Sequence, residues 1–237
     1  MYLNKHVIAI VPARCGSKGI RNKNMQILSG VSLIGLAGAC LNKLMWLDAK
    51  IITTDSEDYC AEGKNYGLDA PFIRPAELSS DTAGAVETIT HALLEAEKCY
   101  RTAFDVVLII EPTSPLRQAA DIEKAAELLI NNKVDSVVTV SEIPSKFHPK
   151  KVFEARDNKL HFYEDAGSSI VYRQSLDKKY WRNGICYALT RECLLDKKKI
   201  ITDNTMPLII DREVVNIDEP IELAWADFLI DFQANKE

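Results

Sequence analysis

No stretch of this 237-residue sequence is long and apolar enough to span a membrane, and none has the cleavage pattern of a signal peptide. The N-terminal apolar run, Val7 to Val11, stops at Pro12 and Arg14. Six cysteines are present (Cys15, Cys40, Cys60, Cys99, Cys186 and Cys193), but no pair has C-x-x-C spacing. That argues against a zinc site and against the disulfide framework of a small secreted domain. The four histidines, His6, His91, His148 and His161, show no ligand spacing either. A basic surplus is also missing: 29 Lys and Arg against 34 Asp and Glu give a net charge of −5, which argues against nucleic acid as the main partner. A small anionic ligand remains compatible, since a local cluster of cations suffices for it. Internal repeats and low-complexity linkers are absent as well. These absences leave a globular chain suited to a reducing cytoplasm. Its 47% hydrophobic and 27% charged residues support one α/β domain spanning 1–237.

Short β-branched runs alternate with helical patterns through the first two-thirds. Val7–Val11 reads as a strand buried on both faces, because it lacks polar alternation. Helices are predicted from Ser32 to about Leu44, from a Ser56 cap to about Tyr66, from Thr82 to about Tyr100, and from about Ala120 to Asn131. Strands are predicted at Lys50–Thr54, Phe72–Ile73, Asp105–Ile110 and Ser136–Val140. This order implies a mostly parallel sheet in a three-layer arrangement, with helices on both faces. From about 143 to 180 the pattern changes to charged and aromatic residues around two strand-like pieces, Lys151–Glu154 and Leu160–Tyr163, an excursion of the kind that makes dimer contacts. Gly184–Leu189 and Pro207–Ile210 return to strand, and Pro220–Phe232 closes the chain as a helix.

In an open parallel sheet, ligands collect at the carboxyl ends of the strands. Those ends carry Ala13-Arg14, Thr54-Asp55 and Glu111-Pro112-Thr113. The densest feature is Arg14 to Asn24. Gly16 and Gly19 let the backbone turn its N–H groups toward an anion, and Arg14, Lys18, Arg21 and Lys23 place four cations within ten residues. The spacing matches neither the P-loop nor the dinucleotide G-x-G-x-x-G pattern. A solvated basic loop is the alternative reading of the same composition, and the position directly after a buried strand favours the anion site over it.

The blocks Ile10-Val11-Pro12-Ala13-Arg14-Cys15-Gly16-Ser17-Lys18-Gly19-Ile20 and Lys23-Asn24 resemble the opening of the acylneuraminate cytidylyltransferases, the CMP-sialic acid synthetases. The likeness continues through Thr54-Asp55, Arg74-Pro75-Ala76-Glu77-Leu78, Ser80-Asp81-Thr82, Glu111-Pro112-Thr113-Ser114-Pro115-Leu116-Arg117, Arg182-Asn183-Gly184 and Ile217-Asp218. The resemblance implies the Rossmann-like fold of nucleotide-diphospho-sugar transferases, CTP and a sugar acid as substrates, Mg²⁺ (or Mn²⁺) as cofactor, and a homodimer. It implies catalytic roles for Arg14, Lys23 and Asp218. Arg14, Gly16, Ser17, Lys18, Asn24, Arg74, Ser80, Asp81 and Thr82 are then nucleotide contacts. Thr82 also opens a predicted helix, whose free N–H groups would suit a base or phosphate; a plain helix cap by Ser80 or Asp81 is the alternative, and both roles are compatible. Sugar contacts are implied at Glu111, Thr113, Ser114, Arg173, Arg182 and Asn183, with an arginine on the sugar carboxylate. A surface or dimer-contact role is the alternative for Arg173.

Two positions depart from the family pattern. Asn216-Ile217-Asp218 stands where Asp-x-Asp is common, so the metal would rest on Asp218 with an amide at Asn216; Glu111 stands where Gln often precedes Pro-Thr-Ser-Pro. The implied reaction is displacement at the α-phosphate of CTP, which needs positioning and charge neutralisation more than a covalent intermediate. Related acids (legionaminic, pseudaminic or Kdo) are alternative acceptors, and Asn216 keeps a non-catalytic nucleotide-sugar binding protein as an alternative.

Overall fold

The computed structural model describes residues 1–165 and 176–234. Ten strands are present among them: β1 (Val7–Pro12), β2 (Ile27–Leu28), β3 (Val31–Ser32), β4 (Ala49–Thr53), β5 (Val106–Ile109), β6 (Ser136–Glu142), β7 (Phe153–Arg156), β8 (Lys159–Phe162), β9 (Tyr180–Thr190) and β10 (Thr205–Ile209). The α-helices are α1 (Leu33–Leu41), α2 (Glu57–Asn65), α3 (Ala85–Tyr100), α4 (Ala119–Asn132), α5 (Arg191–Leu195) and α6 (Pro220–Ala234). Six strands form one sheet in the order β10-β6-β9-β5-β1-β4. β1 is parallel to both β4 and β5, and β10 is parallel to β6. β9 runs antiparallel between β5 and β6, so one strand of six is reversed.

Residues Val7 to Val11 are fully buried. Their side chains alternate between the two faces of the sheet, which is why no polar alternation shows in the sequence. Val7, Ala9 and Val11 pack with Ile34 and Leu41 of α1 and Ile122 and Leu129 of α4. Ile8 and Ile10 pack on the other face with Ile89 and Leu93 of α3 and Leu194 of α5. A third cluster joins Leu28, Leu33, Ile217 and Leu229, seating α6 beside the start of α1. Burying each such Leu or Ile contributes about 1.5–3 kcal/mol, so the three clusters dominate the stability of the fold. The side-chain oxygens of Ser32 and Ser56 cap α1 and α2, accepting from the N–H groups of Gly35 and Tyr59. No helix among the described residues is long and apolar enough to cross a membrane.

Several boundaries differ from the sequence expectation. α3 begins at Ala85, with Gly84 as its cap, and not at Thr82. Asp81 is drawn away into ion pairs with Arg14 and Lys18, so Ser80–Thr82 forms a separate turn. The free N–H groups expected at Thr82 therefore belong one turn later. α1 ends at Leu41 instead of Leu44, and Phe72–Ile73 is not a strand; the pairing on that side is a lone bridge between Ile51 and Asp69. β9 starts four residues before Gly184, and α5 is a short helix that the sequence did not announce. In the excursion, β7 and β8 pair as an antiparallel hairpin.

Candidate active site

Because β1, β4 and β5 are adjacent and parallel, their carboxyl ends open on one edge of the sheet. A cleft of about 720 Å³ lies there. One wall comes from the loop after β1, the segment after β4 and the turn before α3. Asp55, just beyond β4, accepts a hydrogen bond from the Cys15 N–H at 2.8 Å, and Asn24 donates to the Arg14 carbonyl at 3.2 Å. The loop also lies directly on the C-terminal segment. A Cβ on Gly19 would stand 2.5 Å from the Asp218 carbonyl oxygen, so only glycine allows this approach.

Each cation on this wall faces a carboxylate of the protein itself. Arg14 and Lys18 both bind Asp81, at 2.6 Å each, and Lys23 binds Asp218 at 2.7 Å. The hydrogen bonds from Lys18 and Arg14 hold the Asp81 carboxyl below its ordinary pKa. Arg74 is buried, donates through Nε to Ser79 Oγ at 3.0 Å, and has Asp55 at 3.8 Å from Nη2. Burial pulls its pKa down, while Asp55 opposes the shift.

The opposite wall is built on the loop after β5 and on β9. β9 bulges where it passes β6, its register shifting between Val138 and Val140. Thr139 spans the irregularity, its hydroxyl donating to the Cys186 carbonyl and accepting from the Cys186 N–H, both at 2.9 Å. The bulge carries Gly184, at φ +72°, against the β5 loop; a Cβ there would lie 2.2 Å from Glu111 Oε2 and 2.5 Å from Ser114 Oγ. Glu111 Oε2 accepts from Asn216 Nδ2 at 3.3 Å, and Tyr187 also hydrogen-bonds the carboxyl. Burial raises the Glu111 pKa; Asn216, Tyr187, Arg117 and Arg182 act in the other direction without cancelling it. Burial likewise pushes the Tyr187 hydroxyl up, reinforced by Glu111.

Of the nucleotide residues expected from sequence, Arg14, Ser17, Lys18, Asn24, Arg74, Ser80 and Asp81 line the cleft. Gly16 and Thr82 are not on its wall; Gly16 supplies a turn at φ +79° and Thr82 pairs its hydroxyl with Ser80. Of the sugar residues, Glu111, Thr113 and Arg182 line the cleft. Ser114 and Asn183 are buried behind it: Ser114 Oγ donates to the Asn183 carbonyl at 2.6 Å, and Asn183 Nδ2 donates to Ser141 Oγ at 3.0 Å. Arg173 lies outside the described residues. Tyr187 is a wall residue that sequence reasoning missed, because a tyrosine inside an apolar strand reads as core.

Asp218 lines the cleft with 73% of its side chain accessible, alongside the exposed Asp81 and Glu219. Asn216 is half-buried, and its Oδ1 has no hydrogen-bond partner among the described residues. Among the described residues no three His, Cys, Asp or Glu side chains form a metal-binding group. Asp218 and the neutral amide of Asn216 offer few protein ligands, which a hard divalent cation tolerates because it takes most of its ligands from substrate oxygens and water.

Residues 8–204 match the family model described as Cytidylyltransferase. The chain is 29% identical to the CMP-N,N'-diacetyllegionaminic acid synthase of Legionella pneumophila, over 95% of this chain and 96% of that protein. It is 31% identical to the N-acylneuraminate cytidylyltransferase of Escherichia coli O18:K1:H7, over 93% of this chain but 51% of that longer protein. Among solved structures, a CMP:2-keto-3-deoxy-manno-octonic acid synthetase complexed with CTP shares the fold, with a TM-score of 0.72 at 12% identity over 96% of this chain and 99% of that one. The loop after β1, the Pro-Thr-Ser-Pro-Leu-Arg loop and the match across most of the chain lead to one conclusion: the protein belongs to the cytidylyltransferase family.

Proposed function

We propose that this protein transfers the cytidylyl group of CTP to a nonulosonic acid, yielding the CMP-sugar and pyrophosphate. The observation that carries the reading is the cleft itself. Arg14, Lys18, Lys23 and Arg74 converge on one wall, and Glu111, Thr113 and Arg182 face the same space from the other. The acceptor's anomeric oxygen attacks the α-phosphorus, forming a C–O–P linkage and breaking the bond to the β-phosphate bridging oxygen. The hydroxyl proton passes to solvent. Arg14 and Lys18 leave Asp81 for the triphosphate and stay with the departing pyrophosphate, so charge is neutralised where it develops. Lys23 reaches the phosphates from its position beside Asp218. Arg182, at the mouth of the acceptor side, meets the sugar carboxylate with a planar fork. Asp218 would hold Mg²⁺, with Asn216 offering at most a neutral oxygen; the ion would supply Lewis-acid polarisation of the phosphate.

Within the class, the choice among sialic, legionaminic and pseudaminic acids is set on the Glu111 side, where a carboxyl replaces the more usual amide; the octonic acid Kdo is the alternative acceptor outside the class. Pyrophosphate release, measured with each of the four nucleoside triphosphates and a panel of these acids, tests the proposal. Release only with CTP and only when a sugar acid is present is the expected result. Lys23→Ala is expected to lower turnover about 100-fold or more, by analogy with the loss of other charge-stabilising donors. Binding of CTP with no pyrophosphate released for any acid would instead support a non-catalytic binding protein.

A further inference from the structure

Arg212 lies outside the cleft, on the segment between β10 and Asp218. Its guanidinium makes three contacts at once. Nη1 donates to Asp121 Oδ1 at 2.9 Å, Nη2 donates to Asp121 Oδ2, and Nη2 also donates to the Leu116 carbonyl at 3.1 Å. Asp121 is buried at the start of α4, where its carboxylate also accepts from the Gln118 N–H at 2.8 Å. One side chain thus joins three pieces of chain: the end of the β5 loop, the first turn of α4 and the strip that leads to Asp218.

The loop it grips is packed through buried Ser114, Leu116 and Arg117, and two of its carbonyls are held from the strip before Asp218. Residues 111–117 contain Pro112 and Pro115, which donate no backbone N–H, so local turns, side chains and neighbouring strips share in fixing the loop. The Glu111 carbonyl accepts from Arg117 Nη2 and from the Ser114 N–H, and the Thr113 carbonyl accepts from the Ile217 N–H at 2.8 Å. The Leu116 carbonyl accepts from Arg212. The Ile217 and Arg212 bonds both come from the strip that ends in Asp218, and they grip the loop at its middle and its end. Glu111 and Thr113 stand on one side of this seam and Asp218 on the other, all three lining the cleft.

We propose that Arg212 is a positioning residue that sets the spacing between the acceptor wall at Glu111–Thr113 and the carboxylate at Asp218. The inference rests on the cytidylyl-transfer reading for its kinetic consequence, but its structural consequence stands alone. Lysine cannot replace the guanidinium here, because a single ammonium cannot hold both carboxylate oxygens and a carbonyl in a fixed plane. Arg212→Lys therefore keeps a charge beside buried Asp121 while releasing Leu116.

The test compares wild type, Arg212→Lys, Arg212→Gln and Asp121→Asn. Acceptor KM, CTP KM, kcat and amide hydrogen exchange are measured well below each variant's Tm. In Arg212→Lys, kcat is expected to fall about 10- to 100-fold with a raised acceptor KM, as small misplacements of reacting groups do. CTP binding, followed without acceptor, changes less than about twofold, since Arg14, Lys18 and Lys23 lie elsewhere. Exchange is expected to quicken at residues 113–118 and not at 14–19. If Arg212→Gln or Asp121→Asn does not fold, Arg212→Lys alone carries the test. Wild-type kcat and acceptor KM with unchanged exchange in 113–118 would overturn the proposal, as would equal losses in CTP and acceptor binding. Should wild type release no pyrophosphate, the functional reading fails and the exchange result alone decides whether Arg212 holds the loop.

Discussion

Glu111 sits where a neutral amide would satisfy the same neighbours. Asn216 Nδ2 donates to its Oε2, and Tyr187 and Arg182 of β9 and Arg117 of the loop surround it. Burial nonetheless raises its pKa above the ordinary carboxylate value. The unfolded chain therefore gives up this proton at lower pH than the folded one. Between the two pKa values the native state binds more protons, so this group's contribution to stability falls as pH rises through that interval and is constant above it. Glu111→Gln removes the ionisation and keeps an acceptor for Asn216. In chelator-treated buffer, urea unfolding should show the variant gaining on wild type as pH climbs from about 3 upward. A stability difference that stays flat from about pH 3 to 8 would contradict a raised pKa. Gln in place of Glu also probes acceptor choice, so the same variant belongs in the acid panel. At this scale the sequence revealed the cations well: Arg14, Lys18 and Lys23 cluster after a buried strand, and charge density needs no tertiary information. It revealed loop hydroxyls and amides poorly. Ser114 and Asn183 read as sugar contacts, but Ser114 donates to the Asn183 main-chain carbonyl on the β9 bulge and the Asn183 amide to Ser141, behind the cleft wall.

Helices and parallel strands were legible where a cap or a continuous apolar run marked them, as at Ser32, Ser56 and Val7–Val11. The start of α3 was not, because Asp81 has two possible partners and only the fold brings Arg14 and Lys18 to it. The reversed direction of β9 was hidden for a related reason: the long excursion before it erases the link between chain order and strand direction. That excursion contains the β7–β8 hairpin, whose Phe153, Leu160, Phe162 and neighbouring Tyr163 are all exposed. We propose that this element is a subunit contact of a homodimer, since apolar side chains of this size seldom gather on a free surface. Sedimentation or light scattering of wild type is expected to give twice the chain mass. Leu160→Asp is expected to shift the protein toward monomer at micromolar concentration. A monomeric wild type, or a variant that dimerises unchanged, would remove this assignment.

The molecule as a whole is acidic, with a net charge of −5, yet its cleft gathers Arg14, Lys18, Lys23 and Arg74 on one wall. Anion binding should therefore be local, graded by charge and sensitive to salt. In the free protein Asp81 neutralises Arg14 and Lys18, and Asp218 neutralises Lys23. A ligand must outcompete these carboxylates, which a triphosphate does better than a monophosphate. The loop after β1, the turn before α3 and the C-terminal strip all line the cleft, so CTP bound as proposed would tie them together and stabilise the native sheet against unfolding. At 100 times its Kd, a ligand that binds only the native state adds about 2.7 kcal/mol. For a chain of this length each kcal/mol moves Tm by roughly 2–4 °C. Thermal unfolding should accordingly shift by several degrees with CTP, less with CDP and least with CMP at equal concentration. Raising salt from about 0.01 to 1 M shortens the screening length from about 30 to 3 Å and should compress that ladder. Asp81→Asn, which removes the competing carboxylate, should narrow the gap between CMP and CTP by strengthening the weaker ligand. A CMP shift equal to that of CTP in the wild-type protein would show that the four cations do not grip the β- and γ-phosphates.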